Sequence, residues 1–185
     1  MGASVFWGEI APAEHYVQIY RDDAVFLDTL EDFVAGGLRS GDAVVLIATP
    51  EHLKALEQRL LVQDIDVAAA RETDQYIALL AVETLHRFMV GAWPDDEKFK
   101  AVVSGILERA RGKKGRRVRA FGEMVAILWA CANVGATVRL EQLWHGLCRS
   151  ESFSLFCAYP RMGFTKDAAS AISEICAAHS RVVDG

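Results

Sequence analysis

The residues best placed for polar chemistry in this chain follow hydrophobic runs, and the first of them are acids. His15-Tyr16-Val17-Gln18-Ile19-Tyr20 reads as a first strand that runs into Arg21-Asp22-Asp23, with an amphipathic helix beyond. In a nucleotide-binding α/β protein that turn presents backbone N–H groups at a helix N-terminus, where phosphate binds. Here no glycine lets a phosphate approach. The carboxylates of Asp22 and Asp23 would complement the helix dipole themselves and repel an anion. Capping is the plainer role for both, and binding a metal or a cationic ligand is the other. The expectation is a mononucleotide-type scaffold whose first phosphate position is already filled.

Other polar residues gather at the same kind of position. Thr49-Pro50-Glu51 supplies an N-cap, a first-turn proline and a first-turn acid for a second helix. His52 lies in that first turn, where a positive charge is unfavourable, so a neutral imidazole is expected. Glu123 follows Gly122 at the end of a later strand, where nucleotide-hydrolysing enzymes often carry acids. Three roles are open to it: capping the next helix, contacting a polar ligand, or acting as a base. Tyr20, Trp129, Trp144 and Tyr159 lie at strand ends or in helices near them. Aromatics of this kind suit a small, mostly apolar pocket, with ordinary core packing as the competing role. The candidate ligand-binding set is therefore Tyr20, Asp22, Asp23, Thr49, His52, Glu123, Trp129 and Tyr159. No spacing offers a nucleophile with its base, and no H-E-x-x-H, G-x-S-x-G or G-x-x-x-x-G-K-[ST] occurs, so no catalytic residue is predicted. Glu141 and His145, four apart, are expected to pair on a helix surface. His15 is expected to anchor the edge of its strand.

A scaffold of alternating strands and helices must position these groups. Strands are predicted from Val17 to Tyr20, Ala43 to Ala48, Val67 to Ala70, Tyr76 to Leu80, Arg117 to Phe121 and Phe153 to Tyr159. Ala43 to Ala48 is continuously apolar, as a strand buried on both faces requires. Helices are predicted from Asp23 to Leu38, after Thr49, from Val82 to Val90, after Asp95, from Met124 to Asn133, around Leu140 to Cys148, and from Lys166 to Val182. The last aligns Ala168, Ile172, Ile175, Cys176 and His179. Such alternation predicts a three-layer α/β sandwich with a mainly parallel central sheet, whose ligands bind beyond the carboxyl ends of the strands. No linker or repeat divides the chain, so residues 1–185 are expected to form one domain.

Bulk properties narrow the classes. Hydrophobic residues make up 52% of the chain and charged ones 24%, a globular and not a disordered balance. No apolar run approaches the roughly 20 residues of a membrane span. The N-terminus has no secretory pattern, which points to the cytoplasm. Four cysteines without a C-x-x-C, each among apolar neighbours, read as buried reduced thiols. Neither they nor the five histidines show metal-ligand spacing, so no metal and no cofactor are expected.

Charge is distributed unevenly. Seven of the 20 Lys and Arg residues fall between Arg109 and Arg119, leaving 13 against 25 acids elsewhere. The cluster reads as a solvated loop favouring the end of the helix before it, or else as a partner patch, with Arg116 and Arg117 as candidates. No aromatic interleaves it, which disfavours nucleic acid.

Four stretches carry a resemblance: HYVQIYRDDAVFLDTLEDFVAGGLRSGDAVVLIATPEH, YIALLAVETLHRFMVGAWPD, RRVRAFGEMVAILWACANVGATVRLEQLW and FSLFCAYP. Together, over roughly residues 13 to 182, they resemble the MEDS family, the DcmR-like sensory domain of methanogens and methylotrophs. RAFGEMVAILW, with LEQLW and FSLFCAYP downstream, is the most specific part. The resemblance implies a RecA/KaiC-like fold and a signal-input role, sensing small hydrocarbon derivatives. It also implies a separate output partner, such as a histidine kinase or a transcription regulator, and leaves self-association open. A divergent nucleotide-binding protein and a ligand-free interaction module of a kinase or sigma-factor system are the rival readings.

Overall fold

The computed structural model describes residues 7, 10–161, 173, 175, 177 and 179–184. Strand β1 (His15–Tyr20) leads into helix α1 (Asp23–Arg39), and β2 (Ala43–Ala48) into α2 (Pro50–Val62) and α3 (Val67–Glu72). β3 (Tyr76–Leu80) leads into α4 (Ala81–His86), and a small hairpin of β4 (Met89–Val90) and β5 (Trp93–Pro94) precedes α5 (Asp96–Arg111). β6 (Val118–Gly122) is followed by α6 (Met124–Ala130), α7 (Val134–Glu151), β7 (Ser154–Pro160) and, near the C-terminus, β8 (Arg181–Asp184). Six strands form the central sheet in the order β3-β2-β6-β7-β1-β8, every neighbouring pair parallel. Helices cover both faces, which is the predicted three-layer α/β sandwich.

Strand alternation divides the core in two. From β2, Val44, Leu46 and Ala48 point towards α1, α2 and α3, where Phe26, Leu30, Phe33, Phe121 and Phe156 pack. Ala43, Val45 and Ile47 point the other way, towards α4 to α7 and a core built on Phe99, Trp144, Leu140 and Val103. A strand buried on both faces has no polar positions, which explains the unbroken apolar run of β2.

Helix starts follow the capping rules. Thr49 caps α2 with Pro50 at its first turn, and Asp95 caps α5 through the Lys98 N–H at 2.9 Å. Three sequence expectations fail locally. Val67 to Ala70, expected as a strand, begins α3: Asp66 caps it through the Ala69 N–H at 2.9 Å, and its run of alanines favours helix. The helix expected to reach Val90 stops at His86, because Gly91, at φ +59°, turns the chain so that Met89–Val90 pairs with Trp93–Pro94. Near the C-terminus Ser173, Ile175 and Ala177 are helical, but Arg181–Asp184 pairs with β1 as an edge strand. The helix expected to run to Val182 therefore ends sooner. Ala168, Ile172 and Cys176 lie outside the described residues. β8 also takes from β1 the edge position once expected for His15.

The basic cluster is less free than its composition implies. Arg119 lies in β6, within the strand predicted from Arg117 to Phe121, 1% exposed, with its Nε 2.8 Å from Asp42 Oδ2. Gly37 makes room for it: a Cβ there would come within 2.9 Å of the Arg119 side chain and of Val44. Arg117 also reaches Asp42, at 3.0 Å. Arg116 donates to the carbonyls of Thr73 and Ala110 at 3.0 and 3.3 Å, while Arg109 and Arg111 pair with Asp74 and Glu151. No helix among the described residues is long and apolar enough to cross a membrane.

Candidate functional site

At the carboxyl edge of the sheet, Asp22 caps α1 by accepting the Ala24 N–H at 2.7 Å. Asp23 follows in the first turn, and both side chains are exposed. The amide that a phosphate loop would offer is thus taken by a carboxylate of the chain itself.

Glu123 does something comparable for α2. It starts α6, yet its side chain makes no cap bond there. It reaches across to the neighbouring strand, where Oε2 accepts the Thr49 N–H at 2.8 Å and Oε1 lies 2.7 Å from His52 Nδ1. β2 and β6 are adjacent, so their carboxyl ends bring Thr49 and Glu123 together. Hydrogen bonding to Glu123 raises the His52 pKa above its ordinary value against the opposing effect of burial. The helix dipole, from which a neutral imidazole is expected, is opposed here by a nearby carboxylate that favours the charged form. The His52 ring packs edge-on against Phe26 at 5.0 Å, and Tyr20 stacks on Phe26 at 4.6 Å. Burial, then the charges of Glu123 and Asp23, push the Tyr20 phenol well above its usual range.

Tyr20, Thr49, His52 and Glu123 thus form one cluster, with Asp22 and Asp23 at the adjoining turn. Trp129 and Tyr159 do not join it. They pack edge-to-face with each other at 6.4 Å in the core on the opposite face of the sheet. In the register of β1 with β7, Tyr159 lies beside Ile19 and Tyr20 beside Pro160, and neighbouring residues of a strand point to opposite faces. Trp144 is likewise core, edge-on to Phe99.

Beside the Thr49 cluster an apolar groove of about 810 Å³ runs between α2 and α3. Pro50 and Leu80 line it at the sheet edge, and Leu53, Leu61, Ile65 and Val67 line it further out. None of the eight sequence candidates lines this groove.

A second polar cluster lies inside the α7 face and was missed by spacing. Glu141 does not pair with His145 on the helix surface. It turns inward, 1% exposed, and its Oε1 accepts the Tyr159 hydroxyl. Glu141 Oε2 lies 3.5 Å from His15 Nε2 and 3.3 Å from His179 Nε2. Cys157 Sγ is 3.3 Å from His15 Nε2, and His145 stacks its ring against His15 at 6.0 Å. Burial works against both charges. It would raise the Glu141 pKa, but His179 and His15 and the Tyr159 hydroxyl bring it below its ordinary value. It would lower that of His179, but Glu141 holds it raised. Burial, with the Glu141 charge, keeps the Cys157 thiol well above its usual value. Cys148 is buried as expected, whereas Cys131 is exposed. Four separate segments supply this cluster, so no short motif marks it. The one available signal is the two-residue step from Cys157 to Tyr159, which places both on one strand face.

Fold and edge chemistry together define a three-layer α/β protein with a parallel central sheet whose first helix is capped by its own Asp22. The sequence model of the family described as MEthanogen/methylotroph, DcmR Sensory domain matches residues 14–180, and the chain belongs to this MEDS family. A solved structure from Pyrococcus horikoshii OT3, described as a structural study of Project ID PH0250, is similar in fold, with a TM-score of 0.62 and 14% identity. The similarity covers 97% of this chain and 85% of that one. Comparison with curated proteins gave no match.

Proposed function

We propose that the chain is a non-enzymatic signal-input domain that takes a small, largely apolar ligand at the carboxyl edge of the sheet and signals to a separate output protein. The observation that carries this reading is the apolar groove between α2 and α3, which opens at that edge beside Thr49. Its volume lies within the roughly 300–1,000 Å³ usual for small-molecule sites. Family membership supports a sensory role. The Asp22 cap supports a site that does not receive a triphosphate, since the first amide is occupied and the local charge is negative. His52 and Glu123 lie at the same sheet edge, while Lys54, Glu57 and Arg71 are among the polar groups of the groove itself. Ligand binding shifts α2 and α3 relative to the sheet, and a histidine kinase or transcription regulator reads that surface.

The test is a thermal-shift and calorimetric screen of the full chain with short-chain alcohols, aldehydes and alkanoates, repeated on Leu53→Trp and Ala68→Trp. A ligand that stabilises the wild type and loses its effect when the groove is filled supports the proposal. Binding that ignores both tryptophans, or micromolar binding of ATP with magnesium, overturns it. So does a partner whose association no small molecule alters.

A further inference from the structure

We propose that His15, Glu141, Cys157 and His179 bind one transition-metal ion of the zinc class within the α7 face of the sheet. This stands apart from the ligand groove, which lies on the other face, and does not depend on it.

The donor set is the first argument. Two imidazoles, a thiolate and a carboxylate are the ligands that zinc takes in proteins. All four ligand atoms lie within 4.8 Å of one another and all four residues are buried. A tetrahedral ion with bonds of about 2.0–2.3 Å separates its ligand atoms by about 3.3–3.8 Å. Three of the six ligand-atom separations are 3.3, 3.5 and 3.3 Å.

The second argument is an unsatisfied contact. The His179 Nδ1 lies against the Ile175 carbonyl, which can only accept, so Nδ1 carries the proton. In the neutral ring Nε2 then holds a bare lone pair, and it faces Glu141 Oε2 at 3.3 Å. Both atoms are buried and neither has a hydrogen-bond partner, with side chains 0% and 1% exposed. Two acceptors aimed at each other in a dry core repel unless a positive charge, a metal ion or a proton on the imidazole, stands between them.

The supporting contacts are those of a built site. Tyr159 donates to Glu141 Oε1, leaving Oε2 for the centre, and the Ile175 carbonyl fixes the His179 tautomer. Such outer contacts orient metal ligands. Charge closes as well: on binding, the Cys157 thiol releases its proton to solvent as the metal–sulfur bond forms. One thiolate, one carboxylate, two neutral imidazoles and a dication sum to zero, as burial demands. Four protein ligands make a closed site of the structural kind. It would tie β1, α7, β7 and the segment entering β8 to one point.

The experiment titrates the full chain, made without a polyhistidine tag and stripped with chelator, with Co²⁺ and then Zn²⁺. One equivalent of Co²⁺ is expected to give intense visible bands of a tetrahedral ion and a sulfur-to-cobalt charge-transfer band, both lost on adding Zn²⁺. Cys157→Ser should lose the charge-transfer band, and His179→Ala should lose the tetrahedral bands. Stripped protein that unfolds and refolds with Zn²⁺ also supports the site. A folded wild type without the charge-transfer band overturns it, even if the variants fail to fold. A charge-transfer band that persists in Cys157→Ser overturns it too. The remaining account is a bare ion pair in which a proton on His179 Nε2 takes the place of the metal.

Discussion

Two glutamates, each beside histidine, sit on opposite faces of one sheet and live in different media. Glu123 is at the rim: its carboxylate receives a backbone N–H and a histidine that is 17% exposed. Glu141 is in the interior, among two histidines, a cysteine and a tyrosine hydroxyl, all buried. At the rim, Glu123 is itself only 6% exposed, but water still reaches its partner His52. In the interior, a group left alone has nothing to turn to. Equal chemistry at the level of residue type therefore carries unequal cost.

The largest expected effect tests that inequality directly. Glu141→Gln should cost about 3–5 kcal/mol, the penalty for breaking a buried charge cluster by removing one member. Glu123→Gln should cost about 1–3 kcal/mol, since one charge-assisted contact weakens beside solvent. Urea denaturation of both variants measures this. Equal losses, or a larger loss at Glu123, would break the comparison.

Next in size is a pH effect confined to the rim. The folded His52 pKa is raised above 6.5, so the protonated form is favoured by folding. Its contribution to stability is fully present below about pH 6.5 and fades as pH rises through the higher folded value. The stability difference between the wild type and His52→Ala should accordingly be greatest in mild acid and shrink towards alkaline pH. A difference that grows with pH would mean that the Glu123 contact does not favour the imidazolium.

The rim was largely legible from sequence and the interior was not, for a physical reason. Thr49, His52 and Glu123 all follow strand ends, and the carboxyl ends of parallel strands must share one edge. Reading the strands Ala43 to Ala48 and Arg117 to Phe121 was enough to bring those residues near one another. The interior cluster depends on facts that strand order alone does not supply. Which way Glu141 points is set by the phase of α7, and Tyr159 and Cys157 face it because their strand alternates. His179 joins because the chain ends in β8 beside β1, a strand hidden by a pattern that reads as helix. The same face alternation separated Tyr159 from the edge set in which aromatic character had placed it, and Trp129, on α6, packs with Tyr159 on that other face. The ion pair of Arg119 was hidden too: its strand was legible, but its partner Asp42 lies 77 residues away.

The smallest effect concerns the first helix start, where the comparison meets the original expectation. Asp22 is exposed, and its bond to the Ala24 N–H is a cap of the ordinary sort. Asp22→Ala should cost about 0.5–2 kcal/mol, and Asp22→Ser should recover most of that, because a hydroxyl accepts the same amide bond. Neither variant should gain stability from inorganic phosphate. Asp23 still places a negative charge in the first turn, and Arg21-Asp22-Asp23 still lacks the glycine that lets a phosphate reach the amides. Thermal melts with and without phosphate read both points. A phosphate-dependent rise in Asp22→Ala would mean that one side chain alone stands between this turn and an anion site, and that the rest of the edge still has the shape of a nucleotide-binding fold.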